Sequence, residues 1–197
     1  MPLTTLDPAT ALVVVDLQAG VLGMDTQPHD AREVLARNVE LADGFRAHGL
    51  PVVLVRVSFA PDGADAPPGR TDAGPASGTR PEGWDVLADE IARPGDLVVT
   101  KRNWGAFHGT DLDVQLRRRG VTQVVVTGIA TSMGVESTAR AAHEHGYHVT
   151  LPVDAMADGD VERHHNSVQR VFPRLAETGT TAEVLELLAR RDEVVAS

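Results

Sequence analysis

Short runs of branched apolar residues alternate along this chain with stretches whose apolar positions recur every three to four residues. The first run, Leu12 to Val15, ends at Asp16. Helical spacing follows over 30–48, with Val34, Leu35, Val39, Leu41 and Phe45 on one face, and Gly49 is placed to stop it. Pro51 opens a second run over 52–57, and a third over 96–100 leads into Lys101. A helix is predicted over 110–119, then a fourth strand over 121–127 that runs into a glycine-containing turn. A helix over 132–145, a fifth strand over 148–153 and helices near 160–169 and 181–191 complete the pattern.

Strands that are apolar throughout and separated by helices specify a parallel sheet covered on both faces. Right-handed crossovers then give an α/β fold of three layers, doubly wound, with a mostly parallel sheet of about six strands. One domain over 1–197 is the expectation, since no internal repeat or second core is evident. With strand order 3-2-1-4-5, strands one and four are neighbours at the switch point, where ligands bind beyond the carboxyl ends of the strands. That topology puts Asp16 beside the turn from Gly128 to Gly134. It leaves Lys101 two strands from strand one. The stretch 60–83 is rich in Pro and Gly, and reads either as a solvent-facing insertion or as a lid or subunit-contacting loop.

Composition narrows the function classes. The 197 residues carry a formal net charge of −10, which argues against a nucleic-acid partner. The basic run from Arg117 to Arg119 falls at a predicted helix end, where it complements the helix dipole. No apolar stretch approaches the length of a membrane span, and the N-terminus lacks the basic start and apolar run of a secretion signal, so a cytoplasmic location is expected with no membrane partner. There is no cysteine, so neither a disulfide nor thiol catalysis is available.

The chemistry-bearing residues cluster at strand ends. Asp16 follows an apolar strand, where desolvation raises a carboxyl pKa and a nearby ammonium lowers it. The alternative is a turn or helix-capping aspartate. Lys101 ends another strand and can grip an anionic group or orient Asp16; the alternative is a surface lysine. Thr131 and Ser132 add hydroxyls, although Ser132 also reads as a helix cap and has no evident histidine base. Trp104 and Phe107 can wall an apolar substrate pocket or pack in the core. Gln18 can orient Asp16 or a substrate group, or be a turn residue. Arg56 can bind a carboxylate or form an interstrand ion pair.

Taken together, ALVVVDLQ, VVTKRNWGAFHGTDLD and VVVTGIATSMGVESTARAA resemble the motifs of the isochorismatase-like hydrolase family, in the family's order and over most of the chain. The resemblance implies a catalytic trio of Asp16, Lys101 and the residue at 134, which is Gly134 here instead of the usual cysteine. It also implies a cis peptide at Ile129-Ala130 that aims backbone N–H groups into an oxyanion-type pocket. Isochorismatases proper share the glycine and cleave a vinyl ether without a covalent intermediate. An aspartate protonates the alkene carbon, and water captures the oxocarbenium ion. On that model Asp16 is the acid, Lys101 positions it or the substrate, and the room at Gly134 admits a bulky ring. The same resemblance implies a homo-oligomer, dimer or tetramer.

No metal or cofactor is expected. The Asp-x-His pair of metal-binding nicotinamidases in the same superfamily has no counterpart in VRVSFAPDG. His143, His145 and His148 lack the spacing of a ligand pair on one helix face, and His164 and His165 point apart. DLQAGVLG has neither phosphate-binding glycine spacing. Three functions follow: a cofactor-independent hydrolase of a small metabolite, a non-catalytic binding or scaffold protein on a decayed enzyme, and a lyase or isomerase that uses Asp16 as a proton shuttle.

Overall fold

Alternate residues of the first strand serve two separate cores, and this fixes the layering. In the computed structural model, which describes residues 3–67, 69–72 and 80–195 (192–195 without side chains), β1 is Thr10–Val15 and is buried along its whole length. Leu12 and Val14 face one core; Ala11, Val13 and Val15 face the other.

The other strands are β2 (Val52–Val57), β3 (Leu97–Lys101), β4 (Gln123–Ile129), β5 (His148–Pro152), β6 (Met156–Ala157) and β7 (Glu177–Gly179). The order is β3-β2-β1-β4-β5-β7, and every pairing is parallel; β6 pairs with the end of β4. The expected order of the first five strands is therefore found. Helices α2 (Ala31–Ala47) and α6 (Thr181–Val195) cover one face through Val34, Leu41, Phe45, Val184 and Leu188. Helices α3 (Leu112–Arg118) and α4 (Glu136–Glu144) cover the other through Leu112, Leu116, Ala139 and Ala142. Each such buried Leu, Val or Phe side chain contributes about 1.5–3 kcal/mol. The short helices, named in chain order with the rest, are α1 (Ala19–Leu22) and α5 (Val161–Asn166).

Local chemistry sets the boundaries. Asp30 caps α2 by accepting from the Arg32 N–H at 2.8 Å, and Gly49 follows the helix with φ of 65°. The segment expected as one helix over 132–145 begins instead with a wide turn, Thr131–Val135, in which the Val135 N–H reaches back to the Ala130 carbonyl. The 160–169 helix likewise gives way to a second wide turn, Ser167–Val171, and Pro173 then sits in a short tight helix, Phe172–Arg174. No described helix is long and apolar enough to cross a membrane.

Of the 60–83 stretch, residue 68 and residues 73–79 lie outside the described set. Within the rest, Asp65 pairs with Arg102 at 2.5 Å, and the Arg80 guanidinium lies over both Phe59 and Trp84 at 4.4 and 4.8 Å.

Candidate active site

At the carboxyl end of β1 the chain turns sharply, and Asp16 takes a left-handed backbone conformation with φ of 54°, uncommon for any residue but glycine. The turn brings its carboxylate under the end of β3, two strands away. Lys101 Nζ lies 2.7 Å from Asp16 Oδ2, with side-chain exposures of only 3% and 9%. The ammonium also donates to the Asn103 carbonyl at 3.2 Å. The lysine stem thus spans the width of β2, a reach that strand order alone does not reveal.

The two oxygens of Asp16 are not equivalent. Oδ2 is held by Lys101, whereas Oδ1 is enclosed and has no hydrogen-bond partner. Burial pushes the Asp16 carboxyl up from 3.8 to about 6, against the charge and hydrogen bond of Lys101 and the Val57 backbone amide, which pull it down. A carboxyl in that range holds a proton for transfer at mildly acidic pH and still ionises near neutrality.

Two glycines bring β4 and its turn against this pair. Gly128 has φ of 112°, and a Cβ there would lie 2.1 Å from the Val15 carbonyl oxygen, so only glycine lets β4 pass β1 so closely. At Gly134 a Cβ would lie 2.8 Å from Val15 Cγ1, 3.4 Å from Asp16 Oδ2 and 3.6 Å from the Trp104 carbonyl oxygen. Gly134 is therefore beside the carboxylate, as the resemblance implies. The bulky-ring expectation is corrected, however, because Val15 packs into the space that the missing side chain leaves.

The other expected residues divide. The Ile129-Ala130 peptide is cis. The Ile129 side chain lies in the core, so this pair can face the site only through its backbone. Three of the turn's amides are spent within the protein. Ser132 N–H donates to Asp158 Oδ2 at 2.7 Å, and Met133 and Val135 N–H donate to the Ala130 carbonyl. The hydroxyls are also engaged: Ser132 Oγ donates to Asp158 Oδ2 at 2.7 Å, and Thr131 Oγ1 pairs with His164 Nδ1 at 2.9 Å.

Gln18 is fully buried and clamps the end of β2. Its Oε1 accepts from Val57 N–H at 2.9 Å, and its Nε2 donates to the carbonyls of Val57 and Trp84. Both amide hydrogens are spent on protein, which replaces the substrate-binding expectation. Phe107 is corrected as well. Its ring packs on His145 and Tyr147 near the amino end of β5, because the loop after β3 runs down alongside α4. Trp104 has an exposed indole and meets the site only through its carbonyl. Arg56 bonds Thr100 on β3 at 3.1 Å and approaches Asp85, in the turn before β3, at 3.9 Å, so its interstrand contact is a hydrogen bond and its ion-pair partner lies off the sheet.

Sequence reasoning missed Asp158 and His164. Asp158 is buried and holds the turn through two donors of Ser132. Burial pushes His164 down to about 4, so it stays neutral beside Thr131. The signal for Asp158 was present: it ends the apolar pair Met156–Ala157 as Asp16 ends β1. Among the described residues no group of three or more His, Cys, Asp or Glu side chains is arranged to hold a metal ion.

A buried acid–amine pair at the switch point of a doubly wound sheet, beside a cis-peptide turn, defines a class of hydrolase sites, and sequence comparison identifies the family. The model of the isochorismatase domain matches residues 10–183. The isochorismatase family protein YecD of Escherichia coli O157:H7 is 44% identical over 180 residues, covering 91% of this chain and 96% of that one. A solved isochorismatase family protein from Burkholderia thailandensis has a TM-score of 0.91 at 44% identity, covering 95% of this chain and 98% of that one. The ureidoacrylate amidohydrolase RutB of Methylobacterium radiotolerans is 33% identical over 187 residues, covering 82% of this chain and 72% of that protein. The chain belongs to the isochorismatase family, and it is a hydrolase of that family.

Proposed function

We propose that this hydrolase cleaves an acid-labile bond of a small metabolite, a vinyl ether or a close relative, without a covalent intermediate. Asp16 is the general acid and Lys101 its positioning partner. The observation that carries the reading is the split between the two Asp16 oxygens. Lys101 occupies Oδ2, so the proton of the acid form rests on Oδ1. Burial raises the pKa to about 6, which suits a donor.

In the proposed reaction, substrate binding opens the enclosed Asp16 Oδ1 to the ligand, and Oδ1 gives its proton to the terminal alkene carbon. The C=C electron pair forms the new C–H bond, and the adjacent carbon becomes an oxocarbenium ion. The resulting carboxylate is stabilised by the Lys101 ammonium. Water adds to the cation and loses a proton to Asp16. The hemiketal then collapses to a ketone and an alcohol, so that one water is consumed and the acid is regenerated. General acid catalysis of this kind is worth about 10²–10⁴-fold. Amide chemistry is named for the relative RutB. It is not carried over here, because the chain has no cysteine and Ser132 is bound to a carboxylate that also holds its N–H.

Turnover of a vinyl-ether and amide panel in deuterated water tests the proposal. The product ketone is expected to carry one solvent deuterium on carbon, and Asp16→Asn, folded by circular dichroism, is expected to lose at least 10²-fold in rate. Amide cleavage with no carbon-bound deuterium, or an undiminished Asp16→Asn rate, would overturn it. Deuterium exchange into substrate without net hydrolysis would instead assign the proton-shuttle isomerase.

A further inference from the structure

We propose that the cleft between α4 and the 167–175 segment binds a phosphate group, carried by a small hydroxylated molecule. The cleft is an open surface groove of about 390 Å³, within the size range of small-ligand sites. Arg140, His143 and Glu144 line it from α4; Arg170 and Arg174 line it from the opposite segment. These α4 side chains leave the outer face of the helix. Its inner face buries Thr138, Ala139 and Ala142, so the cleft is separate from the Asp16–Lys101 pair.

Three arginines against Glu144 and the Arg140 partner Glu136 leave a local excess of positive charge in a chain whose formal net charge is −10. Arg140 shares its charge with Glu136, at 2.9 Å. Among the described residues, the guanidinium groups of Arg170 and Arg174 have neither an ion pair nor a hydrogen bond. Two exposed, unpaired cations and a third on the facing wall can converge on one anion. The number of forks selects its kind: a carboxylate has two oxygens and satisfies one guanidinium, whereas a phosphate presents enough oxygens for several at once. Glu144 opposes a ligand that is anionic throughout. It favours one anionic head on a neutral body with hydroxyls to donate.

Calorimetric titration of the full chain with glycerol 1-phosphate, inorganic phosphate and citrate, each at ionic strength matched with sodium chloride, tests the site. Saturable binding of glycerol 1-phosphate is expected, at least tenfold tighter than citrate and tighter than inorganic phosphate. The exposed pair Arg170→Ala/Arg174→Ala is expected to keep the fold and weaken that binding at least tenfold. Tighter binding of inorganic phosphate would overturn the organic carrier and assign the free ion. Binding of citrate alone, heats that sodium chloride reproduces, or undiminished binding by the double variant would overturn the site.

Discussion

Asp16 carries two opposing influences on its proton, and their balance is the chemistry of the site. Burial raises its pKa and Lys101 lowers it, and burial wins. The sign for activity follows. The acid form is the competent one, so kcat/KM is expected to be level below about 6 and to fall as pH rises through that value. Lys101→Met removes the lowering influence and is expected to move this falling limb to higher pH, while reducing kcat because the new carboxylate loses its counter-charge. A limb that rises with pH, or one that Lys101→Met leaves in place, would assign Asp16 another role. Stability responds in the same sense. The folded-state pKa lies above the ordinary 3.8, so the contribution of Asp16 is complete below 3.8 and is lost as pH rises through about 6. That loss is on the order of 3 kcal/mol. The position was legible in the sequence, since an aspartate ending an apolar run in a doubly wound fold has few other places to be. The pairing was not: Lys101 is on β3, with β2 between it and β1, and only the left-handed turn at Asp16 and the length of the lysine stem close that distance.

At the scale of elements, the site is a contact between the end of β1 and the wide turn after β4. Gly128 and Gly134 both abut Val15, once at its backbone and once at its side chain. Val15 is fully buried and β-branched, so it has little freedom to yield. Gly134→Ala is expected to cost about 1–3 kcal/mol of stability through overpacking, measured by urea unfolding. Combining it with Val15→Ala is expected to return part of that loss, as a coupling between neighbours. Additive losses would show that the two positions do not touch. The strands themselves were legible because each long one is a run of branched apolar residues, and β2 was read at its observed limits. Strands β6 and β7 have two and three residues, too few to show a period. The wide turn was read as plain helix because it runs directly into the helical pattern of α4, although Thr131, Ser132, Gly134 and Val135 are weak helix formers; a tertiary bond from Ser132 N–H to Asp158 holds it. Gln18 was misread for a similar reason. A polar residue beside a catalytic one suggests substrate contact, yet both ends of its amide are used to fasten β2.

Across the whole molecule, the carboxyl-end face combines an enclosed ion pair with exposed apolar side chains. Met24, Val86 and Trp104 stand exposed on the segments that follow or flank β1 and β3. We propose that a second copy of the chain covers them. Sedimentation velocity is expected to show a species heavier than the 21.0 kDa chain, weakened by Trp104→Asp; a monomer at every concentration would contradict this. The fold brings a carboxyl, an ammonium and a side-chain-free turn to one point, and the functional reading depends on the first of these keeping its proton unusually late. The direct test needs no substrate: a carbon-13 NMR titration of the Asp16 carboxyl in the wild type and in Lys101→Met. A midpoint near 6 that moves upward when the lysine is removed is the predicted result. A midpoint at the ordinary value of 3.8, unmoved by Lys101→Met, would contradict the account.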